Sequence, residues 1–219
     1  SEMCIRDSLN TEYIGFNTSN NLDKDLLLRK AINSAIDREK MIKFLRKNIG
    51  YPAFNGMVPN GLNDNFISNR HTKNIEEAKL MIAEYKQTNN LNEIKLDIST
   101  DAQYLDVLEF VQSELKLIGI TLNINIIPPS ILRQGKATGK FELFRASWIA
   151  DYVNPENYFS LFYSKNHTPN GPNYTYFSNK EYDQLYEKTL SENSKSTLNK
   201  IYSELEDIIK NYAPVIPLY

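Results

Sequence analysis

The stretch Ile94–Ile126, IKLDISTDAQYLDVLEFVQSELKLIGITLNINI, indicates the fold class of this chain. Its first seven residues alternate apolar and polar side chains, the period-two pattern of a strand with one buried face. Apolar residues then recur at helical spacing up to Gly119, a typical residue just past a helix end. A second alternating strand runs from Ile120 to Ile126. Because a helix connects the two strands, they are predicted to lie parallel, in a βαβ unit of an α/β protein.

Composition sets the class of protein. The 219 residues, with 41% hydrophobic and 24% charged side chains, allow a sizeable core in one large domain or two small ones. A net charge of −2 gives no reason to expect nucleic acid or an anionic membrane as a partner. No apolar run reaches the length of about eighteen residues that a membrane span needs.

The first residues, SEMCIRDS, lack the apolar segment of a signal peptide and contain Cys4, the single cysteine. We expect residues 1–10 to be a non-native or disordered leader and residues 11–219 to form the folded domain. A signal segment is then absent from this chain, and the lone cysteine does not indicate a redox compartment.

A second informative stretch is Phe141–Tyr163, FELFRASWIADYVNPENYFSLFY. It begins with the alternation of a strand and then predicts a helix start, with Asn154 as the cap and Pro155 at the first helical position. Arg145, Trp148 and Asp151 therefore meet at the carboxyl end of a strand, where ligands of α/β proteins tend to bind. Taken singly, each has a structural alternative: an ion-paired arginine, a core indole and a turn aspartate.

The pattern R-A-x-W-x-A-D-Y followed by N-P-E-N resembles the ligand-binding segment of the extracytoplasmic peptide-binding proteins of ATP-binding cassette importers. The segment Arg29–Glu39 is similar to a second motif of the same family, R-x-A-I-x-x-A-I-D-R-E. The resemblance covers residues 11–219 and implies the C-terminal lobe of a two-lobed periplasmic-binding-protein-like fold. This lobe is expected to hold a mixed sheet with a βαβ unit flanked by helices.

The resemblance also implies the roles of single residues. Asp151 would pair with the α-ammonium of a bound peptide, and Arg145 would meet a ligand carboxylate. Trp148 would line the pocket, with Ser147 and Ile149 contributing main-chain groups. These assignments suit the chemistry, because an ionised carboxylate only accepts hydrogen bonds and a guanidinium matches a carboxylate with two parallel bonds.

The family further implies a monomeric, non-enzymatic receptor that delivers short peptides to membrane permease subunits, in the periplasm or as a cell-surface lipoprotein. It implies no cofactor and no metal. The same fold could instead bind a non-peptide solute, such as a metal chelate, haem or an oligosaccharide, or serve as a sensor module. Hydrolysis is a remote alternative, because His71 and His167 lie far apart and no catalytic or phosphate-binding motif occurs.

Three further helix starts are predicted from capping residues. Asp37 is expected to cap one helix, and Asn74 with Glu77 forms a capping-box pattern. Ser178 with Glu181 forms a similar pattern before the segment that begins at Tyr182.

Overall fold

A computed structural model describes residues 9–62 and 72–219. Most of the predicted leader, with Cys4, and also His71 lie outside these residues. Five strands form one sheet: β1 (Asn10–Phe16), β2 (Ile94–Thr100), β3 (Ile120–Ile126), β4 (Leu143–Ile149) and β5 (Val215–Pro217). The helices are α1 (Leu26–Ala35), α2 (Arg38–Leu45), α3 (Ile75–Asn89), α4 (Leu105–Lys116), α5 (Pro129–Ala137), α6 (Glu156–Phe159), α7 (Lys180–Thr189) and α8 (Lys195–Tyr212). Three short 3₁₀ turns accompany them, at Ala102–Tyr104, Ser160–Phe162 and Ser164–Asn166.

The sheet has the order β3-β2-β4-β1-β5 and is mixed. Strands β2 and β3 run parallel in register from Ile94↔Ile120 to Thr100↔Ile126, with α4 as their connection. The predicted βαβ unit is therefore confirmed. Strand β4 is parallel to β2, whereas β1 pairs antiparallel with both β4 and β5.

Two hydrophobic clusters cover the sheet. One combines α1, α3 and α4 with apolar residues from every strand, including Ile14, Ile98 and Leu143. The other lies against the opposite face of β1, β4 and β5 and is built by α6, α7, α8 and the aromatic residues that follow α6. Strands β4 and β1 are thus covered on both sides, while the outer face of β2 exposes Lys95.

This layering corrects the prediction of simple alternation in β4. Residues 143–146 are all buried, because Leu143 enters the first cluster and Phe144 and Ala146 enter the second. A strand covered on both faces shows a nearly continuous buried run. Strand β3 and the first half of β2 alternate because one face meets solvent, whereas residues 98–100 of β2 are all buried, where β2 pairs with β4. The strand also begins at Leu143, two residues later than Phe141.

The predicted caps Asp37 and Asn74 are confirmed, whereas two other predicted helix starts are wrong by one residue. Helix α6 begins at Glu156 with Pro155 at the cap position, and not with Asn154 as the cap and Pro155 as the first helical residue. Asp37 accepts a hydrogen bond from the Lys40 backbone N–H, and Asn74 accepts one from that of Glu77. In α7 the cap is Asn179, which accepts from the Tyr182 N–H at 2.9 Å, so the prediction of Ser178 was wrong by one residue. Both residue types are good caps, and which one is used depends on where the backbone turns helical.

Within the described ranges, no helix is long and apolar enough to cross a membrane.

Candidate functional site

The site is the carboxyl end of β4 together with the turn that leads into α6. The side chain of Asn154 accepts a hydrogen bond from the Glu156 N–H at 2.9 Å, and Pro155 precedes the first helical residue. The carboxylate of Glu156 in turn accepts hydrogen bonds from the hydroxyls of Tyr152 and Tyr186. This short turn of helix is therefore fixed to the core at several points.

Asp151 follows β4 and is exposed. In residues 9–62 and 72–219, its carboxylate has no hydrogen-bond or ion-pair partner, while its backbone N–H donates to the side chain of Asn157 at 3.3 Å. An exposed, unpaired carboxylate at the end of a strand can accept an ammonium group without first losing another partner.

Trp148 is half-buried against the second cluster. Its indole Nε1–H donates to Oδ1 of Asn157 at 2.8 Å, which satisfies the one polar group of the indole. This hydrogen bond fixes the orientation of the indole ring. Oδ1 of Asn157 also accepts from the backbone N–H of Asp151, so Trp148 and Asp151 share one hydrogen-bond acceptor.

Arg145 lies on the opposite face of β4 from Trp148, because successive side chains of a strand alternate. It is 6% exposed and forms an ion pair with Glu12 of β1, and its guanidinium stands 3.0 Å from the ring centroid of Tyr104. Its Nε has no hydrogen-bond partner within the described residues. A ligand carboxylate would have to share this guanidinium with Glu12, so the predicted contact of Arg145 with ligand stays a prediction.

Ser147 and Ile149 point to the same face as Arg145, and they lie opposite Glu12 and Asn10 in the register with β1. Ser147 is half-buried, and the side chain of Ile149 is 51% exposed. The β2-facing edge of β4 is paired only at Ser99↔Phe144 in the described part of the chain. Beyond Phe144, this edge can offer main-chain groups to a ligand, and the ligand contact of these two residues also stays a prediction.

Two other features lie close to this site. The amine of Lys136 in α5 lies 5.2 Å from the ring centroid of Tyr174. Burial, and after it the positive charge of Arg145, lowers the pKa of Lys136 to about 8.

A cavity of about 470 Å³ adjoins the start of β1, across from the end of β4. It is lined mainly by the loop after α2, and its lining includes Asn10, Thr11, Arg46, Tyr51, Val58 and Tyr219.

The sequence did not predict Glu12, Tyr104 or Asn157 as part of this site. Asn157 stands in the N-P-E-N motif, but its contacts depend on how α6 folds back on β4. Glu12 and Tyr104 come from β1 and from the turn before α4, so they meet Arg145 only through the sheet. Within the described ranges, no group of three or more His, Cys, Asp or Glu side chains could hold a metal ion.

The fold defines the class of protein. The chain is similar to the DppA periplasmic binding protein of Helicobacter pylori, solved in complex with the peptide STSA, with a TM-score of 0.86 at 22% identity. The match covers 97% of this chain and 42% of that one, so this chain corresponds to one lobe of a periplasmic-binding-protein fold.

The sequence comparisons define the family. A model described as bacterial extracellular solute-binding proteins, family 5 Middle, matches residues 5–170, and the chain belongs to this family. It is 26% identical to the dipeptide-binding protein DppE of Bacillus subtilis, over 98% of this chain and 41% of the relative. It is 25% identical to haem-binding protein A of Haemophilus influenzae, over 96% of this chain and 39% of the relative. The chain thus spans about two fifths of the length of these curated relatives.

Proposed function

We propose that this chain is the C-terminal, peptide-binding lobe of an extracytoplasmic receptor, formed by residues 11–219, which binds short peptides and delivers them to the permease of an ATP-binding cassette importer. The receptor acts as a monomer, in the periplasm or as a cell-surface lipoprotein, and it binds its ligand without catalysis. The observation that carries the proposal is the exposed carboxylate of Asp151, which has no partner among the described residues and lies at the end of β4 beside Trp148.

In this proposal Asp151 pairs with the α-ammonium of the peptide. The edge of β4 beyond Phe144, which has no strand partner among the described residues, hydrogen-bonds the peptide main chain, and the peptide adds to the sheet as an extended segment. Ser147 and Ile149 supply main-chain groups, and Arg145, held by Glu12, lies beside the path of the ligand. Main-chain recognition accounts for binding of many different sequences, because it does not depend on side chains.

The remainder of a full-length receptor would close over this surface. The exposed apolar residues next to Asp151, which are Ile149, Tyr152 and Val153, are 51%, 50% and 67% exposed. Enclosure would remove the Asp151 pair from water, and truncating Asp151 would then cost about 2–5 kcal/mol of binding free energy. In the 219-residue chain alone the pair stays solvated and contributes at most about 1 kcal/mol, so we expect peptide affinity weaker than micromolar.

The test uses the indole N–H resonance of Trp148, the single tryptophan, as a local reporter. The chain is titrated with a tripeptide at millimolar concentration, with its amine either free or acetylated. We expect the free amine to bind about fivefold tighter, because an exposed ion pair contributes up to about 1 kcal/mol. Asp151→Asn should reduce this preference to about one, whereas Asp207→Asn, an exposed position on α8, should retain it. Equal binding of both peptides by the unmodified chain would contradict the proposal.

A second candidate function keeps the site and changes the ligand. One relative is named a haem-binding protein, and the fold does not determine the solute. A solute without an ammonium group does not need Asp151. Tighter binding of haem than of any peptide, unaffected by Asp151→Asn, would favour this alternative.

A further inference from the structure

The side chain of Asn157 joins two of the predicted ligand residues, Trp148 and Asp151. It is 4% exposed, and its Oδ1 accepts from the Trp148 indole at 2.8 Å and from the Asp151 backbone N–H at 3.3 Å. The hydroxyl of Tyr152, the last residue of the same segment, donates to Glu156 and not to Asn157, and partial burial and this hydrogen bond raise its pKa. One amide oxygen thus accepts hydrogen bonds from two members of the W-I-A-D-Y segment, Trp148 and Asp151.

We propose that Asn157 is a positioning residue, which holds the indole of Trp148 and the backbone of Asp151 so that the ring and the carboxylate face the same ligand end. This inference rests on the proposed function, since it assigns the way in which the ammonium site is built. Asn157 itself is buried beneath the turn and does not contact the ligand.

The chemistry of the amide explains why this residue type fits. An amide oxygen has two lone pairs and accepts two donors at once, here the indole N–H of Trp148 and the backbone N–H of Asp151. The turn from Ala150 to Asn154 contains no regular hydrogen-bond ladder, so its direction depends on such side-chain contacts. Without the acceptor, the half-buried indole N–H of Trp148 and the backbone N–H of Asp151 would lose their partner together, which favours rearrangement of the turn.

The test compares Asn157→Leu with Asn157→Asp, which keeps an oxygen acceptor. In the leucine variant we expect the indole N–H resonance of Trp148 to move and its exchange with solvent to accelerate. The preference for the free-amine tripeptide should fall from about fivefold towards one, while affinity for the acetylated peptide stays unchanged. The aspartate variant should restore the indole resonance and the preference.

A matched control is Asn173→Leu. Asn173 is also a buried asparagine whose Oδ1 accepts two hydrogen bonds, from Thr175 and Phe177, but it is away from the W-I-A-D-Y segment. The Asn173→Leu variant should be less stable, but its indole resonance and its preference for the free-amine peptide should be unchanged. This control distinguishes a positioning effect on the site from a general loss of stability.

Two results would overturn the inference. One is a folded Asn157→Leu variant with an unchanged indole resonance and an unchanged amine preference. The other result needs no variant: in the unmodified chain, the indole N–H of Trp148 exchanges with solvent as fast as the N–H of a free indole. If the unmodified chain shows no amine preference, the proposed function fails, whereas the indole measurements still report whether Asn157 holds Trp148.

Discussion

At the scale of single residues, the ion pair of Glu12 and Arg145 has a strong effect on β4 and its site. The two side chains are 4% and 7% exposed, so neither charge is well solvated. Removing one partner of a buried pair leaves the other charge uncompensated, which costs about 3–5 kcal/mol. We therefore expect Glu12→Ala to lower the free energy of unfolding by this amount in urea denaturation.

The control for this prediction is Glu142→Ala, an exposed position just before β4, which should change stability by less than about 0.5 kcal/mol. The double variant Glu12→Leu with Arg145→Met removes both charges and should be less destabilised than Glu12→Ala alone. A Glu12→Ala variant as stable as the unmodified chain would show that Arg145 does not depend on this partner.

At the scale of elements, helix α8 holds the loop that lines the cavity. Oε1 of Glu206 accepts a hydrogen bond from the Met57 backbone N–H at 3.1 Å, and the hydroxyl of Thr11 donates to the Met57 carbonyl at 2.9 Å. Gly56 has a φ of +110°, and a Cβ there would lie 1.5 Å from the Glu206 carboxylate. Both the backbone angle and the close approach require glycine at this position.

Burial of Glu206 makes this attachment sensitive to pH. Burial raises the pKa of Glu206 from 4.5 to about 7, and the Met57 N–H and Lys210 oppose this rise only in part. The folded state therefore retains a proton that the unfolded state loses, so stability falls as pH rises from about 4.5 to about 7 and is constant above. The expected loss is roughly 3 kcal/mol.

The measurement is the free energy of unfolding from pH 5 to pH 8, compared between the unmodified chain and Glu206→Gln. Glutamine keeps an acceptor for Met57 but does not ionise, so the variant should lack this decrease and gain relative stability at pH 8. Glu204→Gln, an exposed position on the same helix, should follow the unmodified chain. Parallel curves for Glu206→Gln and the unmodified chain would contradict the assigned pKa.

The elements also show what local sequence can predict. The β2-α4-β3 unit followed from its pattern because β3 and the first half of β2 have one face against helices and one towards solvent. Strand β4 was located, but its continuous burial was not predicted, because the second cluster that covers this face joins residues from separate parts of the chain, at 13, 57–58 and 158–215. The positions of Trp148 and Asp151 near the end of β4 were predicted, whereas the contacts of Glu12 and Asn157 required the tertiary structure.

At the scale of the whole molecule, the mixed sheet places the site at an edge of β4 that pairs with no other strand beyond Phe144 in residues 9–62 and 72–219. Strand β4 continues past its pairing with β2, and the turn to α6 presents Asp151 beyond the end of the strand. The chain has the fold of one lobe, so the proposed ligand would lie on the surface of this lobe, in contact with solvent. Both the expected weak affinity and the modest amine preference follow from this exposure.

The most direct test of the central claim is a crystal structure of the 219-residue chain with a free-amine tripeptide at millimolar concentration. The account predicts the peptide nitrogen at a charge-assisted hydrogen-bond distance, about 2.7–2.9 Å, from a carboxylate oxygen of Asp151, with the chain of the peptide along β4. A peptide bound with its amine elsewhere, for example in the cavity beside Arg46, while the Asp151 carboxylate contacts only water, would contradict it.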